Sequence, residues 1–144
     1  QIAKIATGTY ISPSMVSQAI VHQFCVSGAL ERSIETVKAA LAERAETLCS
    51  ALQRELPDAR FVAPQGGYFL WVELPRGSSV DALLPAAAER GVQFVKGRDF
   101  VLEGADSSLR LAYSGVTVEQ IEEGVRRLAE AYAGLGAPAA VDAA

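Results

Sequence analysis

The chain has 144 residues, half of them hydrophobic and 21% charged, with a formal net charge of −4. That length and composition suit one globular domain with a real core. The acidic balance, with no basic stripe interleaved with aromatics, argues against a nucleic-acid partner, and no apolar run approaches the roughly 20 residues of a membrane helix. Gln1-Ile2-Ala3-Lys4-Ile5 has neither a signal-peptide pattern nor an initiator Met, so the chain is expected to be a piece of something longer. Cys25 and Cys49 are too few and too far apart for a disulfide framework, which fits a reducing, cytoplasmic setting.

Residues 1–28 read as the least regular part. Ile11-Ser12-Pro13-Ser14 reads as a turn, with Ser12 or Ser14 as the cap of a helix from Met15 to Val26 that Ser27-Gly28 breaks. A long helix follows, from Leu30 to Leu56. Its Ile34, Val37, Leu41, Ala45, Leu48, Leu52 and Leu56 recur at steps of three and four, which draws one apolar stripe along it. Pro57 ends it, because the residue before a proline is pushed out of helical angles.

Arg60 to Ala63 reads as a short strand or an extended entry. The central strand follows within Pro64-Gln65-Gly66-Gly67-Tyr68-Phe69-Leu70-Trp71-Val72-Glu73-Leu74-Pro75, where the run Tyr68 to Leu74 shows little polar alternation and is expected to be covered on both faces. Ser79 or Asp81 caps a short helix to Arg90 that contains Pro85 and closes at Gly91. Val92 to Val95 alternates and reads as an edge strand, and Lys96 to Phe100 as a loop. Leu109 to Ser114 is a further strand, with Leu109, Leu111 and Tyr113 on one face and Arg110, Ala112 and Ser114 on the other. Thr117-Val118-Glu119-Gln120 is a capping box that opens a helix with Val118, Ile121, Val125, Leu128 and Tyr132 on its stripe. From Gly134 onward a frayed tail is expected. The element order argues for an α/β fold of two layers, a small mixed sheet covered by helices.

Few residues point to chemistry by themselves. His22 and Cys25, three apart on one helix, have no further ligand or acid to complete a metal site or a nucleophile pair, and read as helix residues at an interface. Gly66-Gly67 precedes a strand, whereas a phosphate-cradling loop precedes a helix, so it reads as a backbone turn. Lys96-Gly97-Arg98 reads as a solvated turn, and none of Lys4, Lys38 and Lys96 stands in an evidently apolar setting. Arg110 is the most informative charge. Its planar fork suits bidentate binding of a carboxylate or phosphate. A structural ion pair to an acid such as Glu73 accounts for it equally well.

Four blocks then take on a joint meaning: Pro64–Val72, Gly91–Phe100, Leu109–Ser114 and the stretch Glu119 to Ala129. In this order and spacing they resemble the C-terminal part of class I/II aminotransferases of fold type I, in the 2-aminoadipate-like and MocR-like branch, over residues 10–133. The resemblance implies that residues 1–28 are the end of the large domain and its connecting segment, 29–133 the small domain and 134–144 a flexible tail. It implies pyridoxal 5'-phosphate (PLP) as cofactor, an amino acid and a 2-oxo acid as substrates, and a homodimer. It places Arg110 on the arginine that grips the substrate α-carboxylate. The family's Schiff-base lysine lies in a Ser-x-Ser-Lys-like stretch that this chain does not contain, and Lys4 is not assigned that role. The chain is therefore expected to lack catalytic and cofactor-binding residues of its own and to be inactive alone. Two other readings stand beside it: the small domain of a MocR-type PLP-sensing transcription regulator, and a stand-alone α/β ligand-binding or interaction module.

Overall fold

A computed structural model of the chain describes residues 1–9 and 14–136. Most of the expected Ile11–Ser14 turn and of the expected tail lies outside the described residues. Ser14 does occupy the N-cap position of the helix that follows, without a side-chain capping bond. The chain forms two compact units, Gln1–Ala39 and Ala40 onward.

The first unit is helical. α1 (Ile2–Thr9) has no counterpart among the expected elements; its β-branched residues and Gly8 hide it from propensity. α2 (Met15–Val26) has the expected bounds, and Gly28, at φ +72, supplies the left-handed residue that ends it. α3 (Ala29–Glu55) begins in this unit, and its Ile34 and Val37 are exposed.

In the second unit the stripe of α3 is buried through Leu48, Ala51 and Leu52, with Leu56 just beyond the helix. Around it lie β1 (Arg60–Phe61), β2 (Phe69–Glu73), α4 (Val80–Ala88), β3 (Val95–Lys96), the 3-10 turn Gly97–Phe100, β4 (Ser108–Ala112) and α5 (Val118–Gly134). The sheet order is β1-β2-β4-β3, so β2 and β4 are its inner strands. The two-layer α/β arrangement is the expected one, but the sheet is antiparallel in all three pairings rather than mixed.

The core lies on one face of that sheet. Leu70, Val72 and Leu74 of the β2 segment and Leu109, Leu111 and Tyr113 of the β4 segment pack with Leu52, Leu83, Ile121, Val125 and Leu128 from the helices. Each large aliphatic side chain removed from water there contributes about 1.5–3 kcal/mol. The expectation that β2 is covered on both faces is therefore corrected. Leu70 and Val72 are buried, while Phe69 and Glu73 are exposed and Trp71 is half-buried. A strand whose outward residues are mostly aromatic, here Phe69 and Trp71, reads from sequence as fully buried, although its burial alternates.

The expected edge strand is also displaced. Val92 N–H donates to the carbonyl of Ala87, which holds the chain against the end of α4, and Phe94 turns into the core. Pairing begins only at Val95, opposite Arg110, and carries Lys96 into the strand opposite Leu109. α4 tolerates Pro85 because the acceptor it leaves bare belongs to Asp81, an exposed residue whose carbonyl water can satisfy. The capping box is present in full: Thr117 Oγ1 accepts from Gln120 N–H at 3.2 Å, and Gln120 Oε1 accepts from Thr117 N–H at 2.9 Å.

Candidate functional site

The side chains of β2, β4 and β3 that face away from the helices define the candidate site. Register fixes their order. Val95 lies opposite Arg110, Arg110 opposite Trp71, and Phe69 opposite Ala112. Phe69 is thus the diagonal neighbour of Arg110, within reach of an aromatic ring. The Arg110 guanidinium carbon stands 4.0 Å from the centroid of Phe69 and 4.1 Å from that of Phe100, which the 3-10 turn brings in from beyond β3. Phe100 in turn meets Trp71 edge-on, with centroids 6.3 Å apart. A guanidinium against an aromatic face gains about 0.5–2 kcal/mol, the more so as water is excluded.

Among the described residues no hydrogen bond or ion pair is made by the Arg110 guanidinium. The structural alternative, a pair with Glu73, is not formed: Glu73 stands opposite Ser108 on one side and Arg60 on the other. Arg110 is half-buried, held by rings, and keeps its donors. Such a group can accept a planar anion through paired, charge-assisted hydrogen bonds.

The elements beneath hold this arginine in place. Leu109 and Leu111, its neighbours on β4, are buried in the core. Arg44 of α3 donates to the carbonyl of Ser114 at 2.9 Å, which fixes the exit of the strand. Tyr113 donates its hydroxyl to the carbonyl of Gly67 at 3.0 Å, and its amide donates to Tyr68. Burial pushes the Tyr113 phenol up, so it remains a donor. Gly67 has φ +89 and enters β2 through this bond, as a backbone turn and not a phosphate loop.

The other candidate residues do not join the site. His22 and Cys25 are exposed on α2. Lys4 is exposed on α1, Lys38 is paired with Glu35 at 3.2 Å, and Lys96 with Asp81 at 3.0 Å. Arg98 also reaches Asp81, at 2.6 Å, so the expected solvated turn is tied to α4. No group of three or more potential metal ligands occurs among the described residues, and none of their helices is long and apolar enough to cross a membrane. Phe69 and Phe100 were missed as partners of Arg110 at the sequence level. Alternation along β2 puts Phe69 on one face with Trp71, but only the register brings it to Arg110, and only the 3-10 turn brings Phe100.

Comparison with known proteins gives the family. The chain is 38% identical over 137 residues to 2-aminoadipate transaminase of Thermus thermophilus, a match covering 94% of this chain and 34% of that protein. The crystal structure of LysN, the α-aminoadipate aminotransferase of Thermus thermophilus, complexed with N-(5'-phosphopyridoxyl)-L-leucine, superposes with a TM-score of 0.80 at 38% identity. That match covers 92% of this chain and 34% of that one. An uncharacterized HTH-type transcriptional regulator of Bacillus subtilis, YdfD, is 26% identical over 129 residues, covering 89% of this chain and 27% of that protein. The chain thus spans about a third of the length of the curated relatives it matches. The profile of the family described as aminotransferase class I and II matches residues 1–128, and the chain belongs to that family.

Proposed function

We propose that this chain is the arginine-bearing C-terminal part of a PLP-dependent aminotransferase, which transfers an amino group between an amino acid and a 2-oxo acid. In this reading Arg110 binds the substrate α-carboxylate. The observation that carries it is the state of Arg110: unpaired, half-buried and held against two rings on the face of the sheet opposite the core. Rings that displace water strengthen the charge-assisted pair a carboxylate makes there. The resulting grip orients the substrate, and orientation is worth more in the transition state than in loose encounter.

The residues of this chain do not fit the cofactor itself. Lys38 and Lys96 are engaged by acids, Lys4 is exposed, and the glycine pair opens a strand. In the proposal the cofactor is held by parts of the protein outside residues 1–144, with residues 1–28 as the end of the large domain, 29–133 as the small domain and 134–144 as a tail. The complete protein acts as a cytoplasmic homodimer, and this chain alone has no transaminase activity. The match to a helix-turn-helix regulator favours one second reading, in which the same domain senses an amino acid in a MocR-type regulator. Arg110 would bind the carboxylate there too, and a DNA-binding segment in the complete protein would distinguish the two.

The test is kinetic. In the complete protein, Arg110→Ala should lower kcat/KM by about 2–4 kcal/mol of lost transition-state binding, largely through KM. The 144-residue chain alone should show no transamination. Unchanged kinetics in the variant would remove the carboxylate role.

A further inference from the structure

Phe100 reaches Arg110 only through the 3-10 turn Gly97–Phe100, and the turn is held from both sides. On the sheet side, Gly97 is packed so closely that a Cβ would stand 2.6 Å from Ser108 Cβ and 2.9 Å from Trp71 Cη2. On the helix side, Asp81 in the first turn of α4 binds the residues that flank Gly97. Lys96 Nζ donates to Oδ1 at 3.0 Å, and Arg98 Nη1 lies 2.6 Å from Oδ2. One carboxylate therefore uses both oxygens on the residues either side of Gly97. Lys96 can reach it because it is in register with Leu109, whose side chain is in the core, while Arg110 belongs to the opposite set of β4 residues.

We infer that Asp81 is a positioning residue for Arg110: by holding Lys96 and Arg98 it sets the turn that presents Phe100 to the guanidinium. The consequence for substrate binding rests on the carboxylate reading of Arg110. The positioning itself does not. Half-exposed ion pairs contribute little to global stability. Here one bond acts inside the four-residue turn, through Arg98, and the other on Lys96 just before it, so their effect is expected in the local geometry of Phe100 and Arg110 and not in the melting of the domain.

The experiment observes Arg110 directly, by NMR of its Nε–H and Cδ protons in the 144-residue chain. Rings against the guanidinium should shift these signals upfield. Phe69→Leu and Phe100→Leu should each remove part of that shift. Asp81→Asn should remove the part that Phe100→Leu removes, and Asp81→Glu should restore it. Raised salt, which screens exposed pairs, should act in the same direction as Asp81→Asn. The inference is overturned if Asp81→Asn leaves the Arg110 signals in place while Phe100→Leu moves them, or if the wild-type chain shows no ring shift. A second arm adds sodium acetate against sodium chloride at equal ionic strength. Acetate should perturb the Arg110 Nε–H in the wild type and several-fold more weakly in Asp81→Asn. Equal acetate binding in both, despite a lost ring shift, would overturn the link from Asp81 to binding. Loss of the ring shift with Asp81→Asn and no acetate response in either chain would support the positioning and remove the carboxylate role.

Discussion

The sharpest consequence of the packing concerns Gly97. Its φ lies outside the left-handed region, so an alanine there meets no backbone strain, and the whole effect of Gly97→Ala is steric. The added Cβ would stand 2.6 Å from Ser108 Cβ, 2.8 Å from the Ser108 carbonyl oxygen and 2.9 Å from Trp71 Cη2. Two of those three atoms belong to Ser108 of β4, one of them to its backbone, and cannot swing away as a long flexible side chain would. Ser108 is itself buried, so it has little room to retreat. Inserting a carbon into a site this tight costs about 1–3 kcal/mol through displaced backbone and side chains. With an m-value of about 1–3 kcal/mol/M for a small domain in urea, the unfolding midpoint should fall by roughly 1 M. The fluorescence of Trp71, the sole tryptophan, provides both the unfolding signal and a local one, because the clash is with its ring. The emission of folded Gly97→Ala should differ from wild type before any denaturant is added. A variant with unchanged midpoint and unchanged emission would refute the close approach, and with it the account of how Phe100 is delivered to Arg110.

Two other predictions address the helix that supports the sheet. Thr117→Ala removes the capping bond to Gln120 N–H at the start of α5 and should cost about 0.5–2 kcal/mol in urea unfolding, whereas Thr117→Ser should retain most of that stability. Glu123 is held down to about 2 by hydrogen bonds from Arg126 first and Arg127 second, against an ordinary value of 4.5. Its folded pKa is the lower one, so its contribution is complete above the ordinary value and is lost as pH falls from there toward about 2. Thermal unfolding followed between neutral pH and about pH 2 should therefore show a steeper acid-side decline for the wild type than for Glu123→Gln. Parallel declines would show that the three-residue cluster is screened out in solution.

What the sequence made legible was the periodic part of the fold. α3 and α5 carry stripes at helical spacing, and the bound at Pro57 and the capping box at Thr117 are local chemistry, so both helices are found close to where expected. β4 alternates cleanly, and its split into a buried Leu109-Leu111-Tyr113 face and an Arg110-Ala112 face is observed. Much of the rest depends on contacts that no periodic pattern records. Val92 to Phe94 has the alternation of a strand but is spent leaving α4, because the Val92 amide is taken by Ala87. Lys96 and Arg98 look like solvated cations until α4 is placed beside them and Asp81 engages both.

Arg110 shows why the site was only half readable. The register Trp71 opposite Arg110 makes both Phe69 and Glu73 diagonal neighbours of the arginine, one on each side. Diagonal pairs of this kind lie about 7–8 Å apart, within reach of a long side chain in either direction. By register alone, then, the structural partner and the aromatic partner are equally available, and no alternation pattern along β2 or β4 separates them. The 3-10 turn breaks the tie. It sets Phe100 against the same guanidinium that Phe69 touches, so the cation gains two ring contacts and would forfeit them by turning to an exposed Glu73 in high dielectric. A surface pair repays little for that loss. The guanidinium keeps its hydrogen-bond donors because the competing acid is exposed and offers less than the two rings. The selection of an unpaired guanidinium over a structural salt bridge thus depends on four residues, Gly97–Phe100, that the sequence presents as a loop.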